Sequence, residues 1–148
     1  MNTRLLRIDK EGRWFYQDEE ITHRKTYLLF NRNLSRDGAG GYVLCIGREQ
    51  CAVEVEDAPF VVKTIDFLPS IGQELKVIWL ILNDETREPL DLETLRIGPD
   101  NVPYCRVRGG EFEARFSRSA YQLLAPLIQY DEARESYSIT LDGKKQEL

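Results

Sequence analysis

Three arginines, Arg106, Arg108 and Arg115, flank the pair Gly109 and Gly110 and make the best anion-binding candidate in the chain. A guanidinium presents a planar fork of donors that suits carboxylate or phosphate oxygens. Strand patterns at 102–108 and 111–116, separated by two glycines, specify a hairpin. Its register sets Arg108 opposite Glu111, Arg106 opposite Glu113 and Tyr104 opposite Arg115 on one surface. Cys105, Val107, Phe112 and Ala114 take the other. That register also carries a competing expectation, because facing glutamates neutralise Arg106 and Arg108 as cross-strand pairs. Arg115 beside Tyr104 is then the least committed.

Carboxylates form a second group. Glu54, Glu56 and Asp57, with Asp66 further on, have the oxygen chemistry for a hard cation or an acid–base pair. Alternation with Val53 and Val55 explains the two glutamates as an outward strand face, and Asp57 before Ala58 and Pro59 is ordinary turn chemistry. His23 is the sole histidine, with neither a second histidine nor paired cysteines to build a metal site. A solvated or capping role is expected for it. Cys45, Cys51 and Cys105 show no redox spacing and read as buried thiols of a reducing compartment. Trp14 and Tyr16 share a strand parity, and Trp79 lies in the apolar run 77–82. Neither a phosphate-binding glycine loop nor a nucleophile elbow is found, so no catalytic residue and no cofactor is assigned.

The elements that must hold these side chains follow from periodicity. Strand patterns at 5–9 and 13–17 surround a glycine turn, and Thr22 is placed to cap a helix whose apolar positions are Tyr27, Phe30 and Leu34. The glycines at 38–41 end it. Strands are expected at 42–46, 52–56, 60–67 and 75–82, whereas 83–101 is charged, turn-rich and unassigned. Ser117 or Ser119 caps a second helix, with Pro126 predicted to kink or split it. Residues 136–141 and 144–148, around Asp142 and Gly143, close the chain as a hairpin.

Bulk properties limit the partners. The 148 residues are 42% apolar, enough for a core. A formal net charge of -5 argues against a duplex nucleic-acid binder. Residues 1–10 lack the apolar core of a signal peptide, and no apolar run is long enough to span a bilayer, so a cytoplasmic location without membrane contact is expected.

Both halves also share an order of hairpin, capped helix, acidic break and two strands. The stretch from Tyr27 through Asp37 to Tyr42 aligns with that from Tyr121 through Asp131 to Tyr137. The expected architecture is α+β: two similar subdomains, each a mostly antiparallel sheet with one helix packed on it. Residues 1–58 form the first hairpin-helix-strand unit, 59–101 supply connecting strands and a loop, and 102–148 form the second unit.

Four stretches carry a resemblance: Asp-Lys-Glu-Gly-Arg-Trp-Phe-Tyr at 9–16, Ile-Thr-His-Arg at 21–24, Val-Glu-Val-Glu-Asp-Ala-Pro-Phe at 53–60 and Tyr-Cys-Arg-Val-Arg-Gly-Gly at 104–110. On these the chain resembles the bacterial proteins called domain of unknown function 1285. The resemblance implies a two-part α+β fold with repeated motifs and a suggested link to signal transduction, and supplies no catalytic residues. The favoured reading is a non-enzymatic, regulatory module that binds a small molecule or a protein between its halves, through Asp57, Tyr104, Arg106, Arg108 and Arg115. The alternatives are a small hydrolase or lyase using Asp57 with an arginine, and a structural homo-oligomer joined through open sheet edges.

Overall fold

The chain, described over residues 5–67 and 74–148 in a computed structural model, divides into two units, Met1–Pro59 and Phe60–Leu148. Residues 1–4 of the stretch read for a leader and 68–73 of the expected connector lie outside the described residues.

In the N-terminal unit, β1 (Leu6–Ile8) and β2 (Trp14–Tyr16) pair antiparallel as expected. Asp9 builds the turn between them. Its Oδ1 accepts the backbone N–H groups of Glu11 at 3.0 Å and Arg13 at 2.8 Å, and its Oδ2 accepts the Arg13 Nε–H at 2.8 Å. Gly12 turns the chain back with φ of 82°, a left-handed conformation that suits glycine. Short β3 (Glu19–Glu20) extends the hairpin.

Helix α1 (Arg24–Arg32) starts one residue later than predicted, with His23 rather than Thr22 at its N-cap and the His23 ring 2.9 Å from the Thr26 hydroxyl. It also ends earlier. Asn33 donates its side-chain amide to the Leu29 carbonyl, and Leu34 leaves the helix to pair with Leu44 in the sheet. Strands β4 (Leu34–Arg36), β5 (Tyr42–Ile46) and β6 (Glu49–Val55) then form an antiparallel meander. The sheet order is β3-β2-β1-β6-β5-β4, and its one parallel ladder is β1 beside β6, with Leu6 opposite Val53 and Ile8 opposite Val55. α1 is held to this sheet at Trp14, whose indole N–H donates to the buried Asn31 Oδ1 at 2.8 Å and whose ring meets Phe30 edge-on at 5.3 Å.

In the C-terminal unit, β7 (Phe60–Asp66), β8 (Trp79–Leu82), β9 (Arg87–Pro89), β10 (Arg96–Ile97), β11 (Pro103–Val107) and β12 (Phe112–Phe116) form a sheet of order β10-β11-β12-β7-β8-β9. Its parallel ladder joins β12 to β7. Residues 59–101, read from the sequence as connecting strands and a loop, thus supply β7 to β10 of this sheet. Strand β8 is shorter than the expected 75–82. Ser117 caps α2 (Arg118–Leu124), its Oγ accepting the Ala120 N–H at 3.1 Å, and α2 packs on β7 and β12. Pro126 splits the helix as predicted: Ala125–Leu127 continues as a separate 3₁₀ turn. β13 (Gln129–Asp131), β14 (Ser136–Leu141) and β15 (Lys144–Glu147) make a second, three-stranded antiparallel sheet.

The fold is therefore α+β, with a mostly antiparallel six-stranded sheet and a helix in each unit. Both units contain the run hairpin, helix, three-stranded meander, preceded in the C-terminal unit by β7 to β10. They differ in wiring, because β6 returns to its own hairpin whereas β12 pairs with β7 and leaves β13 to β15 as a sheet of their own. No helix of the described residues is long and apolar enough to cross a membrane.

The predicted register of β11 and β12 is observed residue for residue, with Tyr104 opposite Arg115 and Arg106 opposite Glu113. At the tip, the Arg108 guanidinium has partners beyond its own hairpin. It lies 4.6 Å over the Phe60 ring and donates to the Asp84 Oδ2, while the Arg108 N–H reaches the Glu88 carboxylate at 3.2 Å. The Asp84 side chain is 1% exposed, and its Oδ1 also accepts from the Thr86 amide at 3.0 Å and from the Thr86 hydroxyl.

Two stability measurements follow. Arg108→Met keeps an apolar stem over Phe60 but leaves a buried charge on Asp84, which lowers the unfolding free energy by about 3 kcal/mol. Adding Asp84→Leu recovers most of that loss if the pair, and not the local backbone, is responsible. Urea unfolding of the wild type and these two variants reads both. The Asp9 carboxyl is pushed up by burial, but the hydrogen bonds from Arg13 and Glu11 outweigh this and hold it below its ordinary value. A depressed folded-state pKa adds stability above the unfolded value near 3.8, lost as pH falls through the folded value. The stability gap between wild type and Asp9→Asn therefore closes below about pH 4, and a gap that persists in acid contradicts this assignment.

Candidate functional site

The arginines of the second hairpin are spent largely on the fold. Arg106 is exposed and donates to the Gly110 carbonyl at 3.1 Å, while its cross-strand neighbour Glu113 pairs at 2.7 Å with Arg96. Arg96 thus takes the place expected of Arg106 at Glu113, and Arg108 pairs with Asp84. The reason is geometric. β10 brings Arg96 onto the face of Tyr104 and Glu113, and the β8–β9 turn brings Asp84 to the hairpin tip, both from the segment that the sequence left unassigned. Tyr104 is buried beneath the Arg96 guanidinium, 4.6 Å from its ring, and Arg115 is half-buried opposite it. The structure brings Tyr104, Arg106 and Arg115 onto one sheet face of the C-terminal unit. Asp57 is exposed just after β6 in the N-terminal unit.

The more site-like feature lies in the N-terminal unit. Cross-strand pairing sets Leu6 with Tyr16, Leu44 with Cys51 and Ile46 with Glu49, all on the sheet face that carries Trp14. α1 rests on this face at Trp14. Beyond that contact the floor stays open as a groove of about 460 Å³, lined by these six side chains together with Ile21 and Phe30. Tyr16 and Ile46 are 48% and 37% exposed there, a large apolar surface to leave toward solvent. Its size falls within the range of small-molecule sites, about 300–1,000 Å³.

Cysteine placement corrects the expectation of three buried thiols. Only Cys105 is buried; burial pushes its thiol up to about 12, with Glu88, Asp91 and Glu113 adding to the effect. Cys45 is half-buried. Cys51 is exposed, because its pairing with Leu44 turns it onto the groove. The groove itself escaped the sequence reading, which began β6 at Ala52. Carrying the alternation of Val53 and Val55 back to Cys51 and Glu49 would have placed both on the helix-bearing face.

A second depression, of about 510 Å³ in the C-terminal unit, is lined by residues that include Asp66, Glu74, Lys76, Trp79 and Arg87. Its arginine is engaged, 4.8 Å over the Trp79 ring and 3.3 Å from Asp66. Among the described residues, no three His, Cys, Asp or Glu side chains gather in an arrangement that could hold a metal ion.

A DUF1285 family protein from Silicibacter pomeroyi DSS-3 is similar in structure, with a TM-score of 0.79 at 23% identity, covering 97% of this chain and 79% of that one. A second DUF1285 family protein, from Shewanella baltica OS155, gives 0.64 at 21% identity, covering 84% and 92%. No curated protein matches the sequence. Residues 2–58, ending within one residue of the boundary between the units, match the domain of unknown function (DUF1285), N-terminal domain. The chain is thus similar to the DUF1285 N-terminal domain over residues 2–58, and to two DUF1285 family proteins in its fold.

Proposed function

We propose that this chain is a non-enzymatic binding module and that the groove of its N-terminal unit takes a small, largely apolar ligand. One observation carries the reading: the sheet face beyond Trp14 holds Leu6, Tyr16, Leu44, Ile46 and Cys51 in a concave, open arrangement beside Phe30. A ligand seated there removes apolar surface from water at about 25 cal/mol per Å², on both itself and the protein. The floor consists of hydrogen-bonded strands, so little ordering cost opposes binding. The arginines of the C-terminal unit support the same division of labour, since Arg96, Arg106 and Arg108 hold one hairpin in place.

The neutral dye N-phenylnaphthylamine tests this. Saturable one-to-one binding with a micromolar Kd is expected, with a loss of at least about tenfold in Ile46→Asp, which places a charge on the floor. Bound dye should also slow maleimide labelling of Cys51, read in a Cys45→Ser background. Binding that ignores Ile46→Asp and leaves Cys51 equally reactive would overturn the assignment.

A further inference from the structure

Resting on the groove as the binding site, we infer that its ligand is an amine, with a protonated nitrogen at the Glu49 end and an apolar body over Leu44, Cys51 and Tyr16. Glu49 is the one charged side chain among the eight that line the groove. It opens β6, and pairing with Ile46 places it on the apolar floor's own face. Among the described residues no hydrogen bond or ion pair engages its carboxylate. Glu19, paired with Tyr16 across β2 and β3, shares that face but does not line the groove. Arg48, in the turn beside Glu49, is not among the lining residues.

These placements give the groove a polarity. One end is apolar and floored by strands, and the other ends in an acceptor-only group that repels carboxylates and phosphates. An alkyl chain alone gains from the floor. An alkylammonium gains from both ends, and an alkyl carboxylate loses at Glu49 what it gains at Leu44. The contact is solvent-exposed, so the charge term is modest and weakens with salt.

Octylamine, octanol and octanoate share one apolar body and differ in charge, which separates the two claims. Isothermal titration at low salt should show octylamine binding about fivefold more tightly than octanol and about twentyfold more tightly than octanoate. Glu49→Gln should bring the three within about twofold of one another without changing thermal unfolding, and Glu49→Lys should favour octanoate. Three ligands that bind alike, or a preference that survives Glu49→Gln, overturn the amine inference and leave the groove as an apolar site. If none of the three binds while the fold is intact, the groove reading itself fails.

Discussion

Each six-stranded sheet depends on a single parallel ladder. Antiparallel neighbours such as β1 with β2 or β11 with β12 are joined by short turns and form from local sequence. The ladder of β1 with β6 is different, because it brings Leu6 against Val53 across a hairpin, a helix and two strands. Closing such a loop costs entropy before any contact repays it. In the N-terminal unit the repayment is the buried row of Leu6, Ile8 and Val53, with Trp14 tied to Asn31 above it. This ladder holds the Val53–Val55 end of β6, and Glu49 and Cys51, earlier on the same strand and on the same face as Val53, line the groove.

Legibility in the sequence tracked the range of the interaction. The β11–β12 hairpin was readable to the residue because its two glycines fix the register locally, and Ser117 and Pro126 marked the start and the break of α2. The partners of Arg106 and Arg108 were not readable. A cross-strand neighbour is only one of several acceptors within reach of a guanidinium, and Asp84 arrives from a different hairpin. The short strands β9 and β10 escaped for a related reason, having too few residues to show a period. α1 was misjudged at its end because Leu34 fits the helical stripe and also a strand position opposite Leu44, and the sheet decides between them.

The two units show how one order of elements yields two architectures. The meander after the helix joins its own hairpin in the N-terminal unit, whereas in the C-terminal unit β7 occupies the parallel position and the meander stands apart. Matching the elements in order therefore recovers the hairpins and helices of both halves but not their sheet neighbours. The N-terminal wiring is self-contained, in accord with a family match that stops at residue 58.

The strand β15 at the end of the chain borders its sheet on one side with Lys144, Lys145, Gln146 and Glu147. A foreign strand adding there would have to strip water from charged side chains to gain a few backbone hydrogen bonds. That edge is thereby protected against runaway sheet growth, the route by which exposed strands seed fibrils. This protection comes from the strand's own composition, so it is already written into the chain before the sheet has formed.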